Sequence, residues 1–154
     1  MKNFIVFLFI FIPVIGFSQV NNETKDALEK EMIALFSKSP FEGVKILQDN
    51  GDSYLLSVSI QSNTTHKTSS SKNRVSSVMA RRNAMVFMNG STVTSEQIIK
   101  TNETITMNSV SYYEEFIDRI SESSSGFIDG MEVLTTFDFN QGKEYAYIIF
   151  RKLE

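Results

Sequence analysis

Two alternating runs joined by Asp49-Asn50-Gly51-Asp52 constrain this chain more than any other feature. An Asn-Gly pair accepts the positive φ angles of a two-residue β-turn, so it fixes a hairpin and its register together. Before the turn, Val44 to Gln48 reads as a short strand with Val44 and Ile46 on one side. After it, Tyr54, Leu56, Val58 and Ile60 alternate with Ser53, Leu55, Ser57 and Ser59. The apolar set requires a covered face, and the mostly polar set is expected to face water. A second hairpin ends the chain. Met131, Val133, Thr135 and Phe137 alternate with Glu132, Leu134 and Thr136, and Asn140-Gln141-Gly142-Lys143 supplies the turn. Tyr145 to Phe150 is nearly all apolar, which suits a central strand covered on both faces.

Helical periodicity fills the intervals. Leu28, Met32, Leu35 and Phe36 form one stripe within residues 24–38, and Pro40 forces the stop because the residue before proline is pushed out of the α region. Residues 61–72 are polar without an apolar anchor and read as a mobile loop. A helix from about Asn73 to Met88 ends at Asn89-Gly90. It carries two arcs: Val75, Val78, Met79 and Val86 around Arg82, and opposite them Ser77, Ala80, Ala84, Phe87 and Met88, small enough in part to lie close to a sheet. A strand is expected around Glu103–Asn108. Ser111 and Glu114 form a capping box for a helix with Tyr113, Phe116, Ile117 and Ile120 on its inner stripe, fraying into residues 121–126. The order α-β-β-α-β-α-β-β implies an α+β fold: two layers, a mainly antiparallel sheet, and helices packed on one face.

The first residues constrain destination. Lys2 precedes an apolar run from Phe4 to Ile15, and Gly16-Phe17-Ser18 offers small residues at the positions a signal peptidase reads. The run is too short for a span, which needs about 20 residues. The expectation is a signal peptide over residues 1–18 and one exported domain over 19–154, with no membrane span. That remainder holds 14 basic against 18 acidic residues, mixed along the chain, with no basic stripe to hold nucleic acid. The chain has no cysteine. Thiol catalysis, thiolate metal sites and lipid attachment through a cysteine after the signal are thereby excluded.

Chemistry is sparse. His66, the one histidine, lies in the polar 61–72 segment, where nothing holds metal or triad partners in place. Residues 138–144 space oxygen side chains around Gly142 as a calcium loop would, but lack the late glutamate, so a hairpin turn is the better reading. Glu114, Glu115 and Asp118 suit the start of a helix, where negative charge meets the dipole. Arg82 is expected to lay its stem on apolar surface with its head in water. The triplets at Asn22, Asn63, Asn89 and Asn102 match glycan acceptors and are read as chance. No cofactor and no catalytic residue is assigned; candidate binding residues are Arg82, Tyr112, Tyr113 and Tyr145.

One resemblance emerges from the second half. Ala80-Arg81-Arg82-Asn83-Ala84, then Ser124-Ser125-Gly126-Phe127-Ile128-Asp129-Gly130-Met131-Glu132-Val133, then Tyr145-Ala146-Tyr147-Ile148-Ile149-Phe150 resemble, over residues 74–152, the twenty-kilodalton bacterial outer-membrane lipoprotein family and the N-terminal domain of flagellar outer-membrane T protein. The resemblance implies a bacterial envelope protein with assembly or surface roles and no catalytic residues. The chain departs from that family in lacking the lipidated cysteine. The reading is therefore a non-enzymatic exported protein, periplasmic or outer-membrane-associated without a lipid anchor, acting on an envelope protein partner, with an exposed strand beside residues 61–72 as binding edge. The alternative is a small-molecule or glycan binding module using a cleft between helix and sheet.

Overall fold

A computed structural model describes residues 22–65, 68–90, 92–100, 107–121 and 124–153. The elements are α1 (Asn22–Lys38), β1 (Gly43–Asp49), β2 (Asp52–Ser62), α2 (Ser69–Gly90), a 3-10 turn at Ser95–Gln97, β3 (Ile98–Lys100), α3 (Met107–Ser121), α4 (Ser124–Asp129), β4 (Glu132–Phe139) and β5 (Glu144–Leu153). The strands form one sheet in the order β3-β1-β2-β5-β4, antiparallel except that β3 lies parallel to β1. Asn50 and Gly51 both take positive φ, as the hairpin requires. The α+β class and the mainly antiparallel sheet follow the sequence pattern.

The helices, however, occupy both faces of the sheet. On one face α1 places Leu28, Met32 and Phe36 over Leu47, Tyr54, Leu56, Val58, Leu134, Ala146, Ile148 and Phe150. Phe36 anchors this layer, its ring centroid 5.1–5.7 Å from those of Phe41, Phe137 and Phe139. On the other face α2, α3 and α4 cover Ile46, Leu55, Tyr145, Tyr147 and Ile149. The expectation of one covered face failed on Ser57 and Ser59, which are fully buried rather than wet. Ser57 Oγ donates to the Ala80 carbonyl at 2.6 Å and Ser59 Oγ to the Ser76 carbonyl at 2.9 Å. A serine hydroxyl facing a helix backbone satisfies itself while leaving room for close approach, and alternation cannot distinguish that from solvent. The opposing helix is equally small there: Ser76, Ala80 and Ala84 are buried against the sheet.

Four boundaries also move. The described residues of the segment 61–72 belong mostly to regular elements: β2 runs through Ser62 and α2 starts at Ser69, where Thr68 Oγ1 accepts from the Ser71 N–H as an N-cap. The third strand is Ile98–Lys100, and α3 begins at Met107, four residues before the Ser111 capping box. Residues 101–106, which include most of the expected strand, lie outside the described residues, as do residues 1–21 with the expected signal segment, and His66. Residues 124–126, the end of the segment expected to fray, instead open α4. In β4 a bulge between Val133 and Thr135 inserts Leu134 and reverses the alternation. Leu134 and Phe137 therefore both pack beneath α1, while Val133 is exposed.

Candidate functional site

Of the four candidate binding residues, the structure keeps two outside and two inside. Arg82 is exposed on the outer face of α2, and among the described residues it makes no hydrogen bond or ion pair. Tyr112 is 60% exposed on α3. Tyr113 is buried, its hydroxyl 2.7 Å from Ser53 Oγ, and burial pushes its pKa up. Tyr145 is buried, donating to Asn73 Oδ1, with the Lys72 ammonium 4.0 Å from its ring centroid. Tyr113 and Tyr145 thus serve the core beneath the helices, and no single cleft gathers the four.

The outer face of α2 is the less ordinary feature. Its apolar arc faces away from the sheet: Val75, Val78, Met85 and Val86 are exposed, Val78 by 66% and Val86 by 61%. At 100° per residue these side chains cluster opposite Ser76, Ala80 and Ala84, with Arg82 in the middle of the stripe. The helix carries Lys72, Arg74, Arg81 and Arg82 and no acidic residue, in a chain of net charge −3. Two of these cations are committed inward. Arg81 donates to the carbonyls of Ile128 (2.6 Å) and Met131 (3.3 Å). Lys72 donates to Asn63 Oδ1 at 2.6 Å and lies 3.5 Å from Asp138. Arg74 and Arg82 point outward unpaired among the described residues.

Two further constellations were not foreseen. Asn63, read as loop, ties β2 to the second hairpin: its amide donates to Asp138 Oδ1 (2.8 Å) and the Gly142 carbonyl (2.9 Å). That amide bond, aided by Lys72, holds the Asp138 carboxyl below the usual carboxylate range. The other is a cleft of about 550 Å³ where α2 ends beside α3. Met88, Val93 and Ile117 give it apolar walls; Asn89, Glu114 and Asp118 give it polar ones. The carboxylates and the carbonyl end of α2 make it a negative cleft. Among the described residues no three histidines, cysteines or carboxylates converge on a metal position. No described helix is long and apolar enough to cross a membrane.

The sheet edges bear on the expected strand contact. β2, which leads into residues 63–65, is interior, between β1 and β5. The free edge on that side is β4, bonded to Asn63 through Asp138, and its bulge interrupts pairing. The fold and this surface define an α+β protein with helices on both faces of a five-stranded sheet and an uncovered basic, apolar helix face. No protein-family model, no curated protein and no solved structure matches this chain.

Proposed function

We propose that this is a non-enzymatic exported protein of the bacterial envelope that works by protein–protein contact, with the outer face of α2 as its contact surface. The observation that carries the reading is the exposed Val75-Val78-Met85-Val86 stripe with Arg82, unpaired among the described residues, at its centre. Folding does not require it, since the opposite side of α2 already covers the sheet. Contiguous exposed apolar surface with an embedded arginine is the composition of contact surfaces. Export is supported by the Lys2, Phe4–Ile15 and Gly16-Phe17-Ser18 pattern, and the envelope setting by the resemblance over residues 74–152.

A pull-down from native envelope, with the chain lacking residues 1–18 as bait, tests this. Capture of a partner that is lost with Val78→Glu and Val86→Glu supports it. Capture of nothing, together with a reproducible thermal shift by a metabolite or glycan library, removes it. That second outcome would favour a small-molecule or glycan module built on the cleft beside Glu114 and Asp118.

A further inference from the structure

The surface of α2 has its complement on the same molecule. Of the eight large apolar side chains exposed among the described residues, six lie on α2 and α3: Val75, Val78, Met85, Val86, Met107 and Tyr112. The two helices pack side by side over one face of the sheet. Their charges are opposite. α2 has four cations and no acid, whereas α3 presents Glu114, Glu115 and Asp118 against one cation, Arg119. Glu115 meets Arg119 at 3.3 Å across exposed surface, and neither Glu114 nor Asp118 has an ion-pair partner among the described residues.

We infer that the α2–α3 layer is a self-association surface, on which a second copy of this chain sets its α3 against α2 and its α2 against α3. This rests on the contact reading of α2 and names its occupant. A two-fold arrangement makes every contact twice and closes at a dimer. Arg82 and Arg74 of each protomer then face the acidic side of the other's α3, and the valine stripe faces Tyr112. At helix dimensions, α2 at about 33 Å beside α3 at about 22 Å offers on the order of 600 Å² per protomer, at the lower bound for a stable interface. The dimer is therefore weak and its association depends on salt. A lipid surface fits less well. A helix lying on a membrane keeps its cations off the centre of the apolar stripe and places bulky aromatic or leucine side chains there. Here the centre is Arg82 and the stripe is valine and methionine.

Sedimentation velocity on the purified protein from about 1 to about 200 µM, the range in which an interface of this size associates, is the test. The expected result is a monomer–dimer shift that weakens with added salt. Arg82→Glu, at a position without a hydrogen bond or ion pair among the described residues, should weaken the dimer about tenfold or more by like-charge repulsion, and adding Asp118→Arg should restore it. A monomer at every concentration overturns the inference. So does a dimer indifferent to Arg82→Glu, because its contact lies elsewhere, and so does a double variant that stays monomeric. A monomer that co-sediments with anionic phosphatidylglycerol vesicles overturns it in favour of a lipid surface. A monomer that still captures an envelope protein through Val78 and Val86 overturns self-association alone and leaves the contact reading of α2 intact.

Discussion

Gly130→Ala should destabilise this protein, and the same change should stabilise it once Arg151 is gone. A Cβ built on Gly130 lies 2.5 Å from Arg151 Nη1 and 3.0 Å from its Cζ, so the guanidinium must shift from its position. It is held there by the carbonyls of Gly126 (3.1 Å) and Phe127 (2.6 Å), and it lies 4.5 Å from the centroid of the Phe127 ring. Hydrogen bonds from a charged donor are worth about 1.5–3 kcal/mol each when buried. With one contact exposed and one half-buried, the pair is worth about 2 kcal/mol in total. Against that, alanine restricts the unfolded chain and gains about 0.4–1 kcal/mol, because the backbone at Gly130 is not in the left-handed region. The net loss for Gly130→Ala is about 1–1.5 kcal/mol. In an Arg151→Ala background only the gain remains. Urea unfolding of the four proteins of this double-mutant cycle measures both values. A Gly130→Ala variant as stable as the parent, or equally destabilised with and without Arg151, would refute the steric argument.

The two sides of α2 should respond oppositely to substitution. Ala80→Leu overpacks the contact with β2 and should cost at least about 1–3 kcal/mol in urea unfolding, whereas Val78→Thr should fall within about 0.5 kcal/mol of the parent; similar values for the two would mean the helix is rotated from the position described. Acid should destabilise the fold below about pH 4, the carboxylate pKa of the unfolded chain. The Lys152 hydrogen bond lowers the Asp52 pKa and the Asn63 amide lowers that of Asp138, so both contribute stability above that pH and lose it as pH falls through their folded values. Asn63→Ala should flatten this acid limb, and an unchanged pH profile would count against the Asn63–Asp138 contact. Tyr54, pushed up to about 12 by burial and then by the Asp52 charge, should show no phenolate absorbance near pH 10 in the folded protein; a normal titration there would contradict its burial.

What sequence could supply was the local order: which segments alternate, which are periodic, and where Asn50-Gly51 and Pro40 interrupt them. It could not supply the partner of a face. Ser53, Leu55, Ser57 and Ser59 have the polarity of a wet surface, and only the packing of α2 shows that Ser57 and Ser59 are small residues bonded to helix carbonyls. A one-residue bulge is likewise silent in a pattern, yet it decides that Leu134 rather than Val133 faces α1. The candidate site divided in the same way. Tyrosines signal contact surfaces and cores alike, and the structure placed Tyr113 and Tyr145 in the second role. Arg81 and Arg82 are adjacent and chemically identical, but 100° of helix rotation turns one toward the Ile128 and Met131 carbonyls and the other toward solvent.

That rotation explains why α2 carries so much apolar surface on its outside. A helix with Ser76, Ala80 and Ala84 on its inner side lies close to the sheet and contributes little apolar volume of its own there. The core beneath is supplied by the larger side chains of β1, β2 and β5, and by Phe87 and Met88 at the helix end. Folding therefore places no demand on Val75, Val78, Met85 or Val86, and solvation alone would favour polar residues at all four positions. Arg82 could have kept that stripe soluble by pairing along the helix, but α2 offers it no acidic residue at i±3 or i±4. On the contact reading proposed for α2, an apolar stripe unused by the core, centred on a cation unused by its own helix, is accounted for by a partner that covers it. In the dimer inferred above, that cover is the acidic α3 of a second copy.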